Sequence, residues 1–95
     1  MKKFGYECIA KPKRFGDGTQ WRFKFDNGYG ASVVNDGYGK EEGLFELAVL
    51  NKHGIDYSTP ITSDVEGYLK KEDVHKLLIK ISSLFPKTKN KNKNG

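Results

Sequence analysis

The clearest periodicity in the chain is at Gln20-Trp21-Arg22-Phe23-Lys24-Phe25-Asp26, where aromatic and polar residues alternate. Successive side chains of a strand point to opposite faces. The segment therefore predicts a strand with Trp21, Phe23 and Phe25 on one face and Arg22, Lys24 and Asp26 on the other. Ahead of it, residues 6–11 predict a first strand, ended by Pro12, which lacks a backbone donor, and Gly16-Asp17-Gly18 predicts the turn that pairs the two. Asn27-Gly28 predicts a type I′ hairpin turn, which needs positive φ at both positions, leading to a third strand over 29–34. Residues 35–43 hold three glycines and no apolar side chain but Tyr38, and predict a long exposed loop. Residues 44–50 then predict a fourth strand or buried run, and 55–57 a short edge strand before Pro60 interrupts pairing.

From Thr62 the period changes. Ser63 and Glu66 have the spacing of a capping box and predict a short helical turn over 64–68. Val74, Leu77, Leu78, Ile81, Leu84 and Phe85 recur on one face of a helix over about 71–84; Lys71, Lys76 and Lys80 fall on its wet side, and Pro86 stops it. From Thr88 lysine and asparagine alternate without an apolar side chain, so residues 87–95 are expected to form a disordered tail on a single domain of residues 1–86. Burying the aromatic stripe against the helical one gives an α+β fold, an antiparallel sheet of four to five strands packed on one C-terminal helix. Trp21, Phe23 and Phe25 should meet Val74, Leu77, Leu78 and Ile81.

Length and composition narrow the picture. Ninety-five residues hold one core, and a core this small leaves room for a homodimer. Hydrophobic residues at 36%, charged residues at 31% and a mean hydropathy of -0.71 describe a water-soluble chain. No apolar run approaches the roughly 18 residues of a membrane span, and no signal-peptide stretch opens the chain. Cys8 is the single cysteine, and His53 and His75 lie far apart in sequence, so neither a disulfide nor a metal or cofactor is expected. The net charge of +5 hides a division: residues 1–24 carry seven basic side chains against two acidic, residues 25–69 two basic against eight acidic. Four further lysines lie in the tail, so the basic balance owes much to the terminus.

No catalytic residues are expected. Cys8 shares strand parity with Tyr6 and Ala10 and reads as a small core filler, while His53 falls in a turn and His75 on the polar flank of the helix. Gly37-Tyr38-Gly39 precedes an apolar run and two glutamates rather than a helix with a lysine, so it does not read as a phosphate loop. Two recognition surfaces remain. Tyr38, between two glycines and beside Asp36, Glu41 and Glu42, is placed to anchor a protein partner with a basic surface. Alternatively Lys11, Lys13, Arg14, Arg22 and Lys24, helped by the tail, form a sequence-independent nucleic-acid contact. Base stacking on Trp21, Phe23 and Phe25 would remove the one apolar face of that strand from the core.

The runs Phe25-Asp26-Asn27-Gly28-Tyr29-Gly30-Ala31-Ser32-Val33-Val34, Glu42-Gly43-Leu44-Phe45-Glu46-Leu47-Ala48-Val49-Leu50 and Thr59-Pro60-Ile61-Thr62-Ser63-Asp64-Val65-Glu66-Gly67-Tyr68-Leu69 resemble, in this order, small uncharacterised proteins encoded by bacteriophages. The resemblance implies a phage or prophage source and a bacterial host cytoplasm as working compartment; it brings no activity. The chain departs from that pattern at Lys70, where such proteins tend to carry a capping hydroxyl. The expectation is a non-enzymatic accessory protein that binds a host protein, as an inhibitor or modulator of a host enzyme or defence complex.

Overall fold

The computed structural model of the protein describes residues 2–9, 11–37, 39–51, 54–55 and 65–84, without the side chains of Ile55 and Val65. Its strands are β1 (Lys2–Lys3), β2 (Tyr6–Glu7), β3 (Lys13–Phe15), β4 (Gly18–Lys24), β5 (Gly30–Val34), β6 (Phe45–Asn51), β7 (Gly54–Ile55) and β8 (Val65–Leu69), followed by one helix, α1 (Lys71–Ser82). The main sheet is antiparallel in the order β3-β4-β5-β6-β7, and β8 also pairs with β6. Since β5 occupies one edge of β6, β7 and β8 share the other, β7 beside Leu50 and Asn51 and β8 beside Phe45, Leu47 and Ala48. The sheet is thus five strands wide with a single C-terminal helix, as the stripes of the sequence demand.

Register explains the core. Trp21 pairs with Val33 and Val33 with Leu47; Phe23 pairs with Ala31 and Ala31 with Val49. Opposed residues share a face, so these rows form one apolar surface, and Val74, Leu78 and Ile81 of α1 close over it with no exposure at all. Phe23 is 1% exposed, which sets the aromatic stripe inward. Cys8 is buried in the same cluster.

Four local expectations need correction. Residues 6–11 are not one strand: Tyr6 and Glu7 pair back on β1, and the partner of β4 lies beyond Pro12, at Lys13–Phe15. The cause is a tight turn at Phe4-Gly5, where φ is +55° and +86°; a phenylalanine is seldom found there, and it is held because its ring packs edge-on to Trp21 and Phe45. Residues 64–68 are not a helical turn, since Val65–Leu69 is a strand on the edge of β6; pairing with an open sheet edge outweighs a local capping signal. Ser63 and Asp64 lie outside the described residues.

The Asn27-Gly28 turn is not type I′. Only Gly28 has positive φ, +89°, and the Gly28 N–H donates to the Phe25 carbonyl while the Phe25 N–H donates to Tyr29, the pattern of a three-residue hairpin loop. Asn27 is occupied otherwise: its amide donates to the Ile81 and Leu84 carbonyls at 2.8 and 3.0 Å and so caps the C-terminus of α1. Finally, residues 35–43 are not an open loop, because Lys40–Glu42 forms a 3-10 turn bounded by Gly39 and Gly43 and Gly39 is buried. At the start of α1, the Asp73 carboxylate accepts from the Lys70 N–H at 3.0 Å, which supplies the cap without a hydroxyl at Lys70.

Candidate recognition surfaces

The connection from β5 to β6 brings Asp36, Glu41 and Glu42 to one end of the sheet, as the sequence suggests, but they differ in role. Asp36 is bound into the fold. Its carboxylate pairs with Lys40 Nζ at 2.8 Å and accepts from the Asp17 N–H at 2.9 Å, tying the β3–β4 turn to the 3-10 turn. The neighbouring Lys40 ammonium first, and the Asp17 N–H second, hold the Asp36 carboxyl below the ordinary aspartate value. Asn35 works alongside it, accepting from the Thr19 N–H at 2.7 Å. Glu41 and Glu42 remain exposed in the 3-10 turn. Tyr38 lies outside the described residues.

The same end carries a residue that sequence reasoning misses. Between the pairs Phe45↔Leu69 and Leu47↔Glu66 the register slips by one, so Gly67 and Tyr68 together face Glu46. At this bulge Tyr68 adopts φ of +56° and is 62% exposed. A bulge re-aims the side chain that it carries. Gly39 makes room for it: a Cβ on Gly39, itself at φ of +96°, would stand 3.0 Å from Tyr68 Cα and 3.2 Å from Tyr68 Cδ1. The tyrosine ring is therefore seated at the foot of the turn that bears Glu41 and Glu42. The sequence signal for it is Gly67 beside an aromatic in a strand-forming run, and the capping-box spacing of Ser63 and Glu66 masks it.

The basic candidates divide. Lys13 stands opposite Gln20, on the same face as Arg22 and Lys24, so these three line the side of the sheet turned away from α1. Arg14 has the opposite parity and donates through Nε to the Gly16 carbonyl at 3.2 Å. Lys11 is exposed ahead of β3. A second basic region has no counterpart in the sequence blocks: Lys2 and Lys3 of β1 and Lys71, His75 and Lys76 of α1 line one open groove of about 580 Å³ with Phe4, Gly5 and Glu72.

Burial pushes the Cys8 thiol above its ordinary value. Among the described residues, no three His, Cys, Asp or Glu side chains are grouped to hold a metal, and no helix is long and apolar enough to cross a membrane. No protein-family model, curated protein or solved structure matches the chain.

Proposed function

We propose that the chain is a small non-enzymatic accessory protein of a bacteriophage, which binds a host protein in the bacterial cytoplasm and inhibits or redirects it. The phage source rests on the order of the three sequence runs that resemble small phage proteins. The recognition reading is carried by one observation, the conformation of Tyr68. A left-handed φ on a residue other than glycine costs on the order of 1–3 kcal/mol. Phe4 bears the same strain and its ring is packed on Trp21 and Phe45. Tyr68 bears it with most of its surface in water. Strain spent on exposing an aromatic ring is what a binding anchor requires, since tyrosine supplies large contact area for little side-chain entropy. Glu41 and Glu42 beside it favour a partner with a basic surface and speed encounter with it. Asp36 is assigned to holding the turn in shape.

Affinity capture from nuclease-treated host lysate tests this reading. The wild-type chain is expected to retain a protein partner after nuclease treatment, Tyr68→Ala to lose it, and Glu41→Lys with Glu42→Lys to weaken it in a salt-dependent way. Retention that vanishes with nuclease would replace this reading by nucleic-acid binding, and retention that survives both variants while Arg22→Glu with Lys24→Glu abolishes it would move the docking surface to the basic face of the sheet.

A further inference from the structure

The groove between the hairpin of residues 2–7 and the first turns of α1 has a floor and two walls of distinct chemistry. Its floor is the junction where His75 Nδ1 lies 2.8 Å from the Phe4 carbonyl oxygen; a carbonyl only accepts, so Nδ1 carries the proton. The His75 ring also lies 5.9 Å from that of Tyr6, which fixes the hairpin to the helix. One wall presents Lys2 and Lys3, the other Lys71 and Lys76, and among the described residues Glu72 is the one acidic side chain in the lining. Lys3 is already oriented, its ammonium 4.9 Å from the Trp21 ring centre and 5.3 Å from that of Phe4. Folding thus gathers four lysines around Glu72 in the lining, with Glu7 standing opposite Lys2 in the β1–β2 hairpin.

We propose that this groove binds the sugar-phosphate backbone of a single-stranded nucleic acid, without sequence preference. Four ammonium groups on the rim meet phosphates as point charges. Phe4 and the lysine stems of the lining offer apolar surface to sugar and base. A nucleotide strand carries one charge per residue, which an acidic peptide matches only with consecutive carboxylates. A single strand can turn both its phosphates and its unstacked bases to such a lining, whereas a duplex keeps its bases stacked inside. The nucleic-acid contact thus belongs to β1 and α1, not to Lys13, Arg22 and Lys24 on the far side of the sheet.

Fluorescence anisotropy of a short labelled oligothymidylate with the full chain tests the proposal. Lys71→Glu with Lys76→Glu is expected to weaken binding about tenfold or more at low salt, and to lower the logarithmic salt slope by about 0.7 for each phosphate that is no longer neutralised. Arg22→Glu with Lys24→Glu, and separately Tyr68→Ala, should bind within about twofold of wild type, the scatter expected of rim charges. Glutamate at Lys71 suits a helix N-terminus, so folding is not at risk there. A second readout needs no variant: Trp21 is the only tryptophan, and drawing Lys3 off its ring should change its fluorescence on saturation. The proposal is overturned if wild type does not bind the oligonucleotide, if the α1 pair binds like wild type, if the sheet-face pair loses as much, or if polyglutamate displaces the strand at equal charge concentration.

Discussion

Asp36 and Tyr68 show how one end of the sheet separates structure from recognition residue by residue. The folded Asp36 carboxyl titrates below its unfolded value of about 3.8, so the stability it adds is complete above that value and lost as the pH falls through the depressed folded one. Asp36→Asn should therefore lower the melting temperature at neutral pH, and the gap to wild type should close in acid; a gap independent of pH would deny the ion pair any part in stability. Tyr68→Gly should leave the melting temperature unchanged or raised, because glycine adopts φ of +56° without strain, and the same variant should lose the protein partner. A marked fall in stability would make Tyr68 structural. Neither role is legible in the sequence. Asp36 reads as a free acid because strand pairing brings Asp17 to it and the 3-10 turn brings Lys40, and Tyr68 reads as helical because a bulge leaves no periodic trace.

At the scale of elements, the stripes of β4 and α1 can be read directly, since burial repeats with the period of the backbone. Phe23→Ala should destabilise the domain by about 3–5 kcal/mol in denaturant unfolding, whereas a loss near zero would turn the aromatic face outward. Junctions set by tertiary partners cannot be read in this way. The Asn27 turn is shaped by the end of α1, which lies far along the chain. Removing its amide leaves the Ile81 and Leu84 carbonyls without that donor, so Asn27→Ala should cost about 1–2 kcal/mol and speed amide exchange in the last turn of α1. The position of the first strand is hidden for a related reason: Phe4 tolerates its turn only because Trp21 and Phe45 receive its ring.

Across the whole molecule, packing regroups the charges that the chain carries in blocks. The β5–β6 connection carries Glu41 and Glu42, and the groove of β1 and α1 carries Lys2, Lys3, Lys71 and Lys76. Sequence blocks alone cannot assign lysines 71 and 76 to the same patch as lysines 2 and 3, since only the packing of hairpin on helix unites them. Residues 87–95 contribute four more lysines and no apolar side chain; deleting them should leave the melting temperature unchanged while reducing the salt slope for oligonucleotide. The claim on which the functional reading turns is that a partner docks on the Tyr68 end of the sheet. Amide hydrogen exchange of the chain bound to the protein it captures tests that most directly. Protection concentrated in residues 39–44 and 66–69 is the predicted result, and protection concentrated in residues 13–24 with those segments unchanged would contradict it.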